Sequence, residues 1–232
     1  MEIDSVKIGN QEWSSQNISI KHFKNGDTIS FASSFDDWIN AGKNKKPAWC
    51  HINNDEKNET SYGVFYNGFV LTDARGIIPD GWRLPTRNDI RELKDFLEKC
   101  FGKEKYLKEI KSTFGWLKYK EFKNFGDDDY RPTGRIINPN GTNKTGLSIA
   151  ASGYRSINND SFSSTADEEI DISKHNEGFH FFGKEAKFWM EKPLNDEDND
   201  NLPYFDIADD NLGFSGWTNK ATGFTIRLIK KS

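Results

Sequence analysis

The chain predicts a single α+β domain spanning residues 1–232, and three observations carry that expectation. The opening stretch "SVKIGNQEWSSQNISIKHF" (Ser5–Phe23) alternates apolar and polar residues around a Gly-Asn turn, the mark of an antiparallel hairpin. Ile90, Leu93, Leu97, Cys100 and Phe101 fall on one face at helical spacing. From Gly115 onward, strand-length apolar pieces alternate with Gly, Asn, Asp and Ser. At 232 residues the chain is long enough to bury a core without staples.

The elements follow in order. The hairpin places Val6, Ile8, Trp13, Ile18 and Ile20 on its apolar positions. Residues 34–60 are loop-rich, with a short helix at Ser34–Ala41. "YGVFYNGFVL" (Tyr62–Leu71) returns to β-forming residues. In "PDGWRLPTRNDIRELKDFL" (Pro79–Leu97), Gly81 supplies a turn and Arg83-Leu84 is held extended ahead of Pro85. Thr86 has the chemistry of an N-cap, with Asp89 three residues on to complete a capping box. Gly102 ends that helix. Leu107, Ile110 and Phe114 suggest a second one, Lys103–Phe114. The later strand pieces are "GLSIAASGYR", "GFHFFGKEAKFWM", "YFDIA" and "GFTIRLIK". The last strand, Thr222–Lys230, is expected beside the first.

Composition narrows the function classes. Apolar residues are only 34% of the chain but aromatics reach 14%, with seven Trp and eighteen Phe. Each large ring buries about 150–250 Å², so rings are expected to supply the core that aliphatics normally fill. Trp13, Trp49, Trp82, Phe65, Tyr154, Trp189 and Phe224 are the candidates for it. Arg155 and Arg227 follow aromatics at strand ends and are expected to meet acids inside the fold. A net charge of -4 with scattered lysines argues against nucleic acid, which wants a clustered basic face. No run of about 18 apolar residues exists to span a membrane. The first twenty residues lack a basic start and an apolar stretch, so no secretory leader is read in them. Two cysteines make no disulfide framework. Cys100 reads as a small buried hydrophobe, and its pairing with Cys50 stays open.

Five landmarks stand in a telling order: "VKIGNQEW" (Val6–Trp13), "YGVFYN" (Tyr62–Asn67), "PDGWRLPT" (Pro79–Thr86), "TNKTGLSIAASGYR" (Thr142–Arg155) and "GFTIRLIK" (Gly223–Lys230). Together they resemble the Fibrobacter succinogenes major paralogous domain family, across nearly the whole chain. The resemblance implies a C-type lectin-like fold: small mixed and antiparallel sheets, two helices and a long loop-rich region. The Trp-Arg-Leu-Pro-Thr corner is also similar to that of formylglycine-generating enzymes, which share the architecture. The family implies an exported bacterial protein at or outside the cell surface, with adhesion or polysaccharide binding as its task. Three positions depart from the family pattern: Gly68 where Trp is usual, Ile90 after Asp89, and "FWMEKP" (Phe188–Pro193).

Chemical motifs are sparse. No cysteine follows Cys100, so the late thiolate pair of the copper oxidases of this fold is missing. His22, His51, His175 and His180 show no ligand spacing. Asp196, Asp198 and Asp200 imitate the start of an EF-hand loop, but Asn201 stands at the sixth position and Ile207 at the twelfth. A structural calcium there or at residues 127–129 is left open, and no other cofactor is expected. No nucleophile elbow or phosphate loop occurs. What remains is a set of rings outside the family-like motifs: Phe179, His180, Phe181, Phe182, Tyr204, Phe205, Phe214 and Trp217. Phe179, Phe181, Tyr204, Phe214 and Trp217 are the candidates for a stacking surface that meets the C–H faces of a glycan, or a protein partner. The expectation is a non-enzymatic binding module acting through its C-terminal loops. The alternatives are a structural or assembly subunit without a small ligand, and an enzyme of the formylglycine-generating type with an unrecognised site.

Overall fold

The computed structural model describes residues 2–124, 130–137, 139–158, 177–194, 196–197, 200–208 and 211–231. Its N-terminal alternation folds as the expected hairpin. Strand β1 (Ser5–Ile8) pairs antiparallel with β2 (Gln11–Ser14), setting Val6 opposite Trp13. Gly9 turns the chain at φ 61°, a left-handed conformation that a tight hairpin needs. After β3 (Ser30–Phe31), helix α1 (Phe35–Lys43) begins at a capping box, in which Ser34 Oγ accepts the Asp37 N–H at 3.1 Å and the Asp37 carboxylate accepts the Ser34 N–H at 3.1 Å. Strand β4 (Ala48–His51) follows.

The strand expected over Tyr62–Leu71 is shorter. A turn of helix, α2 (Glu59–Tyr62), precedes β5 (Val64–Asn67), and the chain then enters α3 (Gly68–Thr72). The cause lies at Gly68, whose N–H donates to Lys220 O at 2.7 Å. A Cβ there would lie 2.9 Å from Leu202 and 3.0 Å from Lys220, so a side chain at this position would crowd the close approach of the segment around Lys220.

Strand β6 (Trp82–Arg83) leads through Pro85 into α4 (Arg87–Phe101). The second expected helix shrinks to α5 (Tyr106–Ile110), because Ser112 N–H leaves the helical pattern to donate to Ile149 O at 2.8 Å. Five α-helices therefore occur among the described residues, three of them of four or five residues; α2 and α3 are the two that the sequence does not predict. Then come β7 (Tyr119–Asn124) and β8 (Tyr130–Ile137), which pair with each other, β9 (Tyr154–Arg155), β10 (Phe179–His180), β11 (Ala186–Trp189) and β12 (Asn201–Ile207). The chain ends with β13 (Leu212–Asn219), β14 (Gly223–Phe224) and β15 (Ile229–Lys230).

This is a mixed α+β fold of several small sheets. One sheet has the order β1-β2-β15-β6, a second β10-β9-β14-β5-β4-β3, a third β11-β12-β13. The last strand closes the fold, but beside the second strand rather than the first: Ile229 faces Trp13 of β2 and Arg83 of β6. Strand β1 is left at the edge, where its Ser5 and Lys7 are exposed.

The ring-filled interior is present. Trp13, Trp49, Trp82, Phe65, Trp189 and Phe224 are all buried, and Tyr154 alone of the seven candidates is half-exposed. Two expectations about the core need correction. Cys100 is exposed and unpaired while Cys50 is buried, because the inward stripe of α4 runs Ile90, Leu93, Leu97 and leaves Cys100 at its margin. Arg155 and Arg227 are buried but meet no acid among the described residues. Arg227 donates instead to Ser14 O and Leu147 O at 2.9 Å and to Asn17 Oδ1 at 3.0 Å, and burial pulls its ionisation down to about 9. Arg155 lies with its guanidinium 4.5 Å from the Phe179 ring and 5.2 Å from Trp38.

The Pro79–Leu97 stretch proves architectural. Asp89 accepts the Thr86 N–H at 2.7 Å and hydroxyl at 2.6 Å, and holds Arg83 through a two-pronged contact at 2.6 and 2.9 Å. Burial pushes its carboxyl up, but Arg83 and Thr86 together hold it below the ordinary aspartate value. Thr86→Ala is expected to cost about 1 kcal/mol through the lost cap, read as a lowered urea midpoint with an unchanged slope.

Candidate functional site

A cleft of about 660 Å³ opens where the six-stranded and three-stranded sheets abut. The junction is marked by parallel bridges between Gly153 and Ala186 and between Phe188 and Thr225. Gly153 lets β9 start close against the turn that follows β10: at φ 67°, a Cβ there would fall 2.2 Å from His180 O. A second cleft of about 550 Å³, lined among others by Asp4, Asn17, Lys21 and Glu59, has no aromatic residue in its described lining.

Strand periodicity builds the walls of the first cleft. Successive side chains of a strand face opposite ways. In β11, Phe188 is paired with Phe205 and packs toward α4, while Lys187 and Trp189 face the other way, opposite Asp206 and Tyr204 of β12. Tyr204 and Lys187 thereby come to the cleft together with Tyr154 of β9 and Phe224 of β14. Phe181 completes the lining from the turn between β10 and β11. Its ring stacks on Tyr154 at 6.0 Å, Tyr154 meets Phe224 edge-on at 6.1 Å, and Phe224 meets Tyr204 at 4.9 Å. Four rings thus form one continuous wall. Asn158, Thr218, Asn219 and Thr222 add hydrogen-bonding groups.

Phe181 holds its place at φ 56°, a left-handed conformation uncommon for any residue but glycine and costly for a bulky one. Its carbonyl accepts the N–H groups of Lys184 at 2.9 Å and Glu185 at 3.1 Å, so the turn is clamped around the strained residue.

Lys187 is the electrostatic centre. Its ammonium lies 2.8 Å from Glu185 Oε2 and 3.3 Å from Asp206 Oδ2. It also sits 5.5 Å from the centre of the Tyr154 ring and 5.4 Å from that of Tyr204. Burial alone would lower its ionisation, but Glu185 and then Asp206 outweigh that and raise it above the ordinary lysine value.

The chain matches the model of the Fibrobacter succinogenes major domain over residues 6–230. It belongs to that family. No curated protein and no solved structure matches it. Two of the five family-like landmarks of this member end at the cleft: Tyr154-Arg155 closes one, and Phe224 opens another.

The five rings anticipated as a surface do not assemble as one. Phe181 and Tyr204 line the cleft. Phe179 is buried, stacked on Phe65 at 6.3 Å, and belongs to the core. Phe214 is half-buried against the α4 side, with the Arg87 guanidinium 4.4 Å from its ring. Trp217 is exposed but paired with Pro203, one residue out of phase with Tyr204, and therefore on the opposite face of the sheet. Phe214 and Trp217, expected in C-terminal loops, both lie on β13. Of the other rings, Phe205 and His180 are buried, and Phe182 is half-buried 5.0 Å from Tyr62. Glu185, Lys187 and Asp206 went unremarked in the sequence; the signal was the Lys-x-Trp and Tyr-x-Asp spacing, which places each pair on one strand face.

Among the acids considered for calcium, Asp196 pairs with Lys192 at 3.5 Å and Asp200 with Lys45 at 2.9 Å. Asp198 and residues 127–129 lie outside the described residues, as do His175 and the polar stretch 159–167. No group of His, Cys, Asp or Glu fit to hold a metal occurs among the described residues. Nor is any described helix long and apolar enough to cross a membrane.

Lys187→Met would leave Glu185 and Asp206 facing each other without their cation. Because these partners raise the ionisation of Lys187, the stability it contributes is full below its unfolded value and is lost as pH rises through the folded one. The expected loss of stability in this variant is therefore full at pH 7 and shrinks as pH rises beyond about 10, measured by thermal melts across pH.

Proposed function

We propose that this chain is a non-enzymatic binding module of the bacterial cell surface, built on a C-type lectin-like scaffold, that takes a sugar ring of a glycan into the cleft between the two sheets. The observation that carries this reading is the unbroken wall of Phe181, Tyr154, Phe224 and Tyr204 in a concave site with polar groups at its rim. Sugars present flat C–H faces that bury well on rings, while their hydroxyls need donors and acceptors close by. Asn158, Asn219, Thr218, Thr222 and Glu185 offer both kinds. The volume, about 660 Å³, is within the range of about 300–1,000 Å³ usual for small-ligand sites.

Backbone strain at Phe181 supports the same reading. A left-handed phenylalanine costs about 1–2 kcal/mol, and glycine would avoid that cost. The ring gains contact with Tyr154, but it is half-exposed and does not fill the core. Strain of this kind concentrates where a side chain is held for a ligand.

A glycan array identifies the sugar, and calorimetric titration then tests the cleft. Tyr204→Ala is expected to weaken binding by about tenfold, the scale of one lost ring contact. Phe181→Gly is expected to weaken it comparably while melting within a few degrees of the parent, since relieved strain offsets lost packing. Unchanged affinity in both variants would move the ligand elsewhere on the molecule.

A further inference from the structure

We infer that the cleft selects uncharged or amino sugars and rejects acidic ones, because the one cation in its described lining is already engaged by two carboxylates. The inference rests on the glycan reading of the same site. Among the described residues lining the cleft, Lys187 is the only basic side chain. A free lysine at such a place would be the natural partner of a uronic acid carboxylate. Here its ammonium has Glu185 Oε2 at 2.8 Å and Asp206 Oδ2 at 3.3 Å, with the faces of Tyr154 and Tyr204 on its remaining sides. A ligand carboxylate would have to displace one of these partners and leave it half-buried without a counter-charge, a costly exchange.

The cluster holds one positive and two negative charges, so it is acidic as a whole. Glu185 itself lines the cleft. It therefore repels an anion, accepts hydrogen bonds from sugar hydroxyls, and attracts the ammonium of an amino sugar. Lys187 acts here as a positioning residue: it holds Glu185 and Asp206 in place through its two ion pairs.

The experiment compares three oligosaccharide sets of matched length by calorimetry: neutral (cello-, xylo- and manno-oligosaccharides), acidic (oligogalacturonates) and amino (glucosamine oligomers). At least one neutral or amino set is expected to bind, and oligogalacturonates to bind about tenfold more weakly or worse at low salt, with the gap narrowing as salt rises. Glu185→Gln is expected to narrow the ratio of neutral-sugar to oligogalacturonate affinity by about tenfold. Oligogalacturonates binding the parent protein as tightly as neutral sugars would overturn the selectivity and leave the sugar site standing. Discrimination that survives intact in a folded Glu185→Gln variant would overturn it too. If no sugar of any set binds, the glycan reading itself falls, and the selectivity with it. Should the variant fail to fold, the comparison on the parent protein decides alone.

Discussion

The carboxylate of Asp89 is the constraint through which the frame of this fold closes. It caps α4 through Thr86 and grips Arg83 of β6 with both oxygens. Strand β6 pairs with β15, and β15 pairs with β2. The circuit returns to its start because Gln11 of β2 donates its side-chain amide to Asp89 O at 3.0 Å, while Gln11 Oε1 accepts the Trp13 indole N–H at 3.0 Å. One residue, through its carboxylate and its backbone carbonyl, thus fixes the first hairpin, the last strand and the longest helix relative to one another. Charge-assisted hydrogen bonds in a half-sealed site are among the stronger polar contacts available, and that is why burial does not neutralise this group.

Behind this frame, the shortage of aliphatic residues shapes what the core tolerates. Rings offer polarisable faces, so a core built from them can accommodate cations that an aliphatic one would exclude. Arg155 exploits this directly, lying against Phe179 and Trp38. Arg227 uses the other available currency, backbone carbonyls, and so ties β2 to the Thr142–Arg155 stretch through Leu147. Both arginines belong to family-like landmarks, and both act as internal cross-braces rather than as ligand contacts.

What was legible in the sequence was what local chemistry decides. Thr86 and Asp89 stand three apart with a helical stripe beyond them, and nothing distant alters a capping box. The hairpin around Gly9 was equally plain. The C-terminal third was legible only as strand pieces, because its pairing depends on partners far along the chain. Leu212–Asn219 reads as a Gly- and Ser-containing loop until β12 supplies its ladder. With that strand missed, Phe214 and Trp217 looked like neighbours of Tyr204, whereas the register, with its irregularity at Tyr204/Phe205, sends them to other faces. Lys187 was invisible for a related reason: a lone lysine in a polar chain reads as surface until Glu185, two residues away, and Asp206, across the ladder, are brought to it.

The frame and the cleft are linked by where the sheets are forced to meet. Phe224 of β14 sits between Tyr66 of β5 in one sheet and the Trp189 and Tyr204 rings of the other, so the wall of the cleft is the exposed rim of the core. A site made this way is rigid on three sides. Tyr154, Phe224 and Tyr204 cannot shift without disturbing buried partners, and Lys187 cannot turn away without stranding two acids. The fourth side, the turn carrying Phe181, is clamped by the hydrogen bonds that the Phe181 carbonyl accepts from Lys184 and Glu185 N–H. Adaptability in this cleft therefore resides in one short turn, while charge and shape are set by strands. A family that varies its ligands on this scaffold would be expected to vary that turn and the Glu185–Lys187 pair first, and the rings anchored in the core last.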